Sequence, residues 1–523
     1  MGRVLTNNTS YAYALEATET EGSRGIGFLP GEDPGDGGGA IAGSPTWKLL
    51  EPNEVSAYGA TVSTVARNPI RRARGRQKGT ISDLDSAVEM EADLTVDAFR
   101  DFAEGFMFTT FSNIDLIFRA ADAETTGDTY AVPSLTAGQA AKLQSDANID
   151  TILYASGYAI AANNGFKHLD TAAVAAGTSL AVEDNLTDET APANATLEIA
   201  GARLADGEMD LTIAAAVPGV SGRIGTLNFD NINPTTLGLA IGQAVYVFLT
   251  SVIRGYARVT AFDTSTITID RMDAALVASA PTGATTAIYF GQFLRDRQSD
   301  DTLFLERSFQ FEADLPGLAA NGIDSEYIYA KGNFCSTLNI TADLSDKALI
   351  SLAFIGTDTD PPTSSRKANA GTPLQPLGTT AFSTVADFAR LIVDDIDEVG
   401  LTTDFKSIEL SIDNNVSPEK VLGFLGARFV NFGNFFVDLS TQILFTSGDV
   451  LDRIRNNTTV GLDLFFKNGD GAIAFSIPAM TLGDGSLELP VDETVLLNVT
   501  GEAFEDPTTG ASLSISLIPA IPA

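Results

Sequence analysis

The stretch SAYGATVSTVA-RNPIRRARGRQKG-TISDLDSAVEMEADL, residues 56–94, carries the pattern that decides the fold. Its outer segments, 56–66 and 80–94, alternate apolar and polar residues with a period of two, as a strand with one buried face requires. The middle segment, 67–79, contains Pro69, Gly75 and Gly79 and has no period. The whole reads as a long antiparallel hairpin with a broad loop. That loop holds Arg67, Arg71, Arg72, Arg74, Arg76 and Lys78, and no acidic residue occurs between Val55 and Ser82.

Outside this loop the chain is heavily acidic. It has 68 Asp+Glu against 32 Lys+Arg, a formal net charge of −36. A clean basic loop in such a chain calls for a partner surface: nucleic acid, solvent ions alone, or the acidic surface of another copy. A chain built to grip phosphates would carry the opposite net charge. The favoured reading is therefore a neighbouring subunit, with opposite potentials setting orientation and assembly rate. Asp83 and Asp85, close behind the loop, are alternative partners within the chain.

With 523 residues, of which 44% are hydrophobic, the chain is long enough for two to four cores. One cysteine, Cys335, rules out an internal disulfide framework and a cysteine metal cage. One histidine, His168, leaves zinc sites and nucleophilic triads without their usual partners. Cys335 is expected to be a small buried hydrophobe and His168 an ordinary polar loop residue. The expectation is of no enzyme, no cofactor and no metal. MGRVLTNNTS lacks the apolar stretch of an export signal, and no apolar run reaches the length of a membrane span.

Elsewhere the texture is mainly β. Ile408/Leu410/Ile412, Val437/Leu439/Thr441/Ile443 and Leu513/Ile515/Leu517 mark strands. Lys467-Asn468-Gly469-Asp470-Gly471 reads as a tight hairpin, with Asn-Gly supplying positive φ angles, and Gly483-Asp484-Gly485 as a further turn. Residues 241–248, 255–262 and 265–272 read as closely spaced strands of a small barrel. A weak repeat links residues 88–105, 338–356 and 411–426. Each reads as a strand, a cap (Thr95, Ser345, Ser417) and a helix closing at glycine (Gly105, Gly356, Gly426). The expected architecture is a duplicated β-sandwich with a packed helix, plus an inserted small β module. Its boundaries are 1–118 and 301–356 for the first unit, 119–300 for the insertion, 357–380 for a linker and 381–523 for the second unit.

Several segments together resemble the major tail tube protein of long, non-contractile-tailed bacteriophages. They are GRVLTNNTSYAYALE, SPTWKLLEPNEVSAYGATVSTVARNPI, RQKGTISDLDSAVEMEADLT, GYARVTAFDTSTITIDRM, ERSFQFEADLPG and DNNVSPEKVLGFLGA. They fall in patches along the chain, and residues 120–220 match least. The resemblance implies a structural virion protein of the tail, assembled in the host bacterial cytoplasm. Its sheets would join those of neighbours into a closed barrel, and its rings would stack into an acidic tube for genome ejection. It also implies tail terminator, tape measure and distal tail proteins as partners. DNA would pass without specific binding, and no membrane is involved. If one chain supplies two sandwich units, the ring is a homotrimer with pseudo-sixfold symmetry; if one, a homohexamer. The alternative reading is a secreted or cell-surface acidic β-protein, such as an adhesin or surface-layer module. A carbohydrate-acting enzyme with paired carboxylates comes third, and the single Trp47 counts against its sugar-binding groove.

Overall fold

The computed structural model describes residues 9–521 except 18–26, 34–38, 68–69, 71, 73–74, 76, 112–117, 120–123, 133–134, 137–139, 141–142, 144–145, 171–178, 193–194, 214–222, 274, 284, 298–302, 318–324, 368–369, 377, 394–403, 446–447, 490 and 492–493. The fold is mainly β, and among the described residues none of the sheets closes into a barrel.

A framework of strands runs through the chain twice. In the first half these are β1 (Ser10–Leu15), β2 (Glu54–Val65), β3 (Thr80–Asp93), β4 (Ser308–Leu315), β5 (Glu326–Asp343) and β6 (Leu349–Gly356). Helix α1 (Val96–Phe106) follows β3. In the second half they are β7 (Phe388–Val393), β8 (Phe405–Asp413), β9 (Phe436–Leu444), β10 (Thr459–Lys467), β11 (Gly471–Glu488) and β12 (Leu496–Ala503), with α2 (Asp449–Asn456) after β9. The antiparallel pairs of the first half are β1–β4, β2–β3, β3–β6, β4–β5 and β5–β6. The second half repeats each of them as β7–β10, β8–β9, β9–β12, β10–β11 and β11–β12.

The halves are fused where β5, from Thr337 to Asp343, pairs with β8, from Asp413 back to Ser407. The result is a continuous sheet in the order β2-β3-β6-β5-β8-β9-β12-β11. Strands β5 and β11 are each 18 residues long and belong to two layers. Their first halves pair with β4 and β10, and their second halves lie in the continuous sheet.

One core lies between these layers. Val88, Met90, Ile340, Leu352, Leu410, Leu439 and Leu497 from the continuous sheet meet Tyr13, Phe309, Phe311, Leu464, Phe466 and Phe475 from the other layer. Both faces of Leu513–Leu517 are covered, because Ser514 and Ser516 are buried as well. Helix α1 buries Phe102, Ala103 and Phe106 in the core, at the spacing of one helical face. Gly105, which was expected to end the helix, instead lets the helix approach β5. A Cβ there would lie 2.7 Å from Cys335 Sγ and 2.9 Å from the Phe309 ring.

The repeat expected from sequence needs correction. Residues 349–356 form strand β6, and Ser417–Glu419 form a short strand paired with Phe429–Asn431. Neither is a helix. Ile350, Leu352 and Phe354 recur at every second position and enter the core, while β5 and β3 pair with the two edges. The second helix is α2, placed after β9 as α1 is after β3. Asp449 and Asp452 stand in its first turn and Arg453 and Arg455 in its last, complementing the helix dipole.

The hairpin at 467–471 forms, with Lys467 opposite Ala472. Its positive φ falls at Gly471 rather than at Asn468 or Gly469. At 483–485 the chain does not turn. Strand β11 continues through a bulge, with Asp484 at φ 64° and Gly485 at φ 80°.

Most of the remaining strands form an open ten-stranded sheet from residues 118–289 with its own core. The barrel expected at 241–272 is thus a meander, Ala244–Phe248, Arg254–Phe262 and Thr266–Arg271, within an unclosed sheet. This sheet packs on the second half of the framework, Tyr256 and Met272 covering Phe465, Ala472, Ala474 and Ile518. The half-buried Arg258 reaches across, donating to Asp463 at 2.9 Å, and also donates to Asp270 of its own sheet at 3.1 Å. Gln292–Arg295 pairs with the terminal strand Ser514–Pro519, itself on β11.

Two stability outcomes follow from this packing. Gly105→Val should lower the melting temperature, at a cost of about 1–3 kcal/mol for overpacking, and Cys335→Ala should recover part of it in the double variant. Arg258→Met strands the Asp463 carboxylate in a buried site, a loss of roughly 3–5 kcal/mol, read by thermal or chemical unfolding.

Candidate assembly surface

The continuous sheet has two unlike faces. Its core face is apolar. Its other face carries Ser, Thr, Asn and Gln residues with Glu54, Glu89, Glu91, Glu409, Asp413, Asp438, Glu488 and Glu502. Of these, Glu54, Glu89, Glu409, Asp438, Glu488 and Glu502 are exposed. In the eight strands of this sheet, over the segments that form it, the one Lys or Arg is Lys406, near the start of β8.

Two acidic pairs stand directly opposite each other, Glu54 with Glu91 and Asp438 with Glu502. Like charges in that relation destabilise a sheet. Partial burial, and then the nearby Glu502 and Asp413, push the Asp438 carboxyl above its ordinary value. Amide side chains temper the charge locally: Asn498 Nδ2 donates to Glu488 at 2.9 Å and Gln442 Nε2 at 3.3 Å.

The hairpin β2–β3 extends beyond the body of the protein. From Ala60 to Val65 every residue of β2 is exposed, including Val62 at 48% and Val65 at 62%. Ile81 opposite is exposed too, as is Ile70 in the loop. Arg67, Arg72 and Lys78 are exposed in the loop. Arg71, Arg74 and Arg76 lie outside the described residues. Asp83 and Asp85 do serve as ion-pair partners, but for Lys420, whose Nζ lies 2.6 Å and 2.5 Å away. That ammonium holds the Asp83 carboxyl below its usual value.

Lys420 belongs to the connection between β8 and β9, the second-half counterpart of the basic loop. This connection leans back over the first half of its own chain. Ala427 N donates to Thr357 O at 3.2 Å, and the buried Asn414 side chain donates to the carbonyls of Phe106 and Cys335. It also exposes Leu422, Phe424, Leu425 and Phe429, with the Arg428 guanidinium over the Phe424 and Phe429 rings. Sequence reasoning passed over this apolar loop because its residues were read as a helix.

The other singled-out residues are accounted for locally. Cys335 is buried on β5, and burial pushes its thiol well above the ordinary value. His168 ends the strand Gly165–His168, with Nδ1 3.5 Å from Asp184. A cavity beside α1 is lined by Tyr13, Lys48, Arg100 and Asp101, and these groups pair with one another or with Glu198 and Gln292.

A family model described as phage tail tube protein matches residues 6–503. The chain belongs to that family. It is a structural protein of the phage tail tube. No curated protein matches the chain. Family membership leaves the adhesin and carbohydrate-enzyme readings without support.

Folding favours the protonated form of Asp438, because its folded-state pKa is raised. The resulting penalty is absent below the unfolded carboxyl value of about 4, grows as pH rises through the folded value, and is constant above it. Asp438→Asn should therefore raise the melting temperature at neutral pH and leave it unchanged near pH 3, a comparison made by scanning fluorimetry.

Proposed function

We propose that copies of this tail tube protein join edge to edge into closed rings, which stack into a conduit for genome ejection. The observation that carries this reading is the continuous sheet with one apolar core face and one acidic, hydroxyl-rich face almost free of cations. Such a face, turned to the inside of a tube, repels the phosphate backbone and offers it few groups to bind, so that DNA slides.

The layers support the same orientation. The ten-stranded sheet packs on the framework layer opposite the acidic face, which supports the reading that residues 119–300 lie on the outside of the tube. The doubled strand framework favours a homotrimeric ring with pseudo-sixfold symmetry over a homohexamer. The units it implies are 1–118 with 301–356 and 381–523, joined through 357–380. The basic loop, with Arg67, Arg71, Arg72, Arg74, Arg76 and Lys78, meets an adjacent subunit. The partners at the tube ends are the terminator, tape measure and distal tail proteins, and the tube is a virion component put together in the bacterial cytoplasm.

Electron microscopy of the purified protein tests this directly, with hollow rings or tubes of threefold averaged symmetry as the expected result. Sixfold averages would replace the trimer by a hexamer, and persistent monomers at high concentration would remove the ring reading. Replacing Arg71, Arg72, Arg74 and Arg76 by Ser should slow tube growth severalfold while the melting temperature stays within the range of a surface change. Unchanged growth would take the basic loop out of assembly.

A further inference from the structure

From the internal duplication we infer that the seam between copies reproduces the seam within the chain, with the C-terminal half of β11 pairing antiparallel with β2 of a second copy. The inference rests on the ring reading above and specifies its contact residue by residue.

The two halves of the framework correspond strand for strand, β5 to β11 and β8 to β2. Within the chain, the C-terminal half of β5 is paired on its outer edge by β8. The same edge of β11, beyond Thr481, has no strand beside it among the described residues, and neither has the edge of β2 away from β3. Two long strand edges of this kind are a hazard for open aggregation unless a specific partner covers them.

Pairing positions carry the correspondence to single residues. Thr341 pairs with Leu349 beside the β5–β6 turn, as Glu488 pairs with Leu496 beside the β11–β12 turn. Ile340 thus corresponds to Leu487, Thr341 to Glu488 and Ala342 to Leu489. On the other side, β8 pairs with β9 as β2 pairs with β3, so that Ile408, Glu409 and Leu410 correspond to Val55, Ala57 and Tyr58. The internal partners are Ile340 with Leu410, Thr341 with Glu409 and Ala342 with Ile408. The seam between copies therefore sets Leu487 opposite Tyr58, Glu488 opposite Ala57 and Leu489 opposite Val55.

Burial supports this assignment. Ile340 is 0% exposed and Ala342 6%, each covered by the internal seam, whereas Leu487 is 44% and Leu489 72% exposed. Apolar side chains stand uncovered where the duplicate has them buried. A second copy, repeating the internal geometry, covers them and brings Val55 and Tyr58 into the same continuous core. The contact is head-to-tail, and repeating one rotation closes it into a ring.

Paired cysteines test the register. Under mild oxidation, Ala57→Cys with Glu488→Cys should give covalent oligomers on a non-reducing gel, ending at the closed ring. Each single variant should stay at the background of the wild-type chain, whose one thiol is buried. Thr341→Cys with Glu409→Cys is the internal control, since it presents the same geometry within one chain and should close an intrachain bond. Leu489→Asp should remain folded and lose at least tenfold in ring formation. If the wild type forms rings and the internal control closes, but Ala57→Cys with Glu488→Cys stays monomeric, the seam is wrong while the ring reading stands. Equal crosslinking of Ala57→Cys with Ser486→Cys overturns the register. Rings from Leu489→Asp at wild-type levels overturn the seam as well. If the wild type forms no rings at all, the ring reading itself falls.

Discussion

The antiparallel pairing of Thr337–Asp343 with Ser407–Asp413 is the contact on which the architecture depends. Without it the chain would hold two separate sandwiches, each with exposed strand edges in its acidic sheet. With it, those two sheets become one, and β5 is drawn from its own layer into the shared one. The bulges in β5 and β11 accompany that passage between layers. A long strand can serve two layers only if it bends, and a bulge supplies local twist at the cost of one unpaired residue.

The shared sheet also concentrates charge that a soluble protein would gain by dispersing. Glu54 opposite Glu91 and Asp438 opposite Glu502 work against folding, and partial burial, with the nearby Glu502 and Asp413 adding to it, raises the Asp438 carboxyl pKa. The apolar core beneath, built from aliphatic residues of one layer and phenylalanines of the other, more than offsets these local penalties. An arrangement that costs stability at several positions on one face points to a use for that face outside folding. The use we propose for it is electrostatic: a surface that DNA can pass without adhering.

Anchoring of the ten-stranded sheet follows different physics. Tyr256 packs on Phe465, and Arg258 lies between the buried carboxylates of Asp270 and Asp463 in a largely buried ionic bridge. Arg100 of α1 adds a second link, to Glu198 and Gln292. Buried ion pairs of this sort contribute modest stability but penalise any other arrangement heavily, because a displaced partner leaves an unpaired charge. They fix where the module sits on the framework.

Much of this was legible in the chain itself. Period-two alternation in 56–94 gave both strands of the long hairpin, and Ile408/Leu410/Ile412 and Val437/Leu439 gave β8 and β9. The cap at Thr95 and the apolar period after it gave α1. These are local properties, since which face of a strand or helix is apolar depends on neighbours two to four residues away. The acidic and basic segregation was likewise plain from residue counts. The strand 349–356 was misread because a short apolar run fits a buried helix as well as a strand, and its two pairing partners, β3 and β5, decide between them. The helix Asp449–Asn456 was missed although its acidic first turn and basic last turn carry a readable signal. What tertiary structure alone decided is which edges meet. Alternation tells which side chains go inward but is silent about which strand lies alongside, because backbone N–H and C=O groups are the same in every residue but proline. The duplication was expected from a weak repeat in which 338–356 and 411–426 were misread, and its strand-by-strand form emerged only from the matching pairings of the two halves.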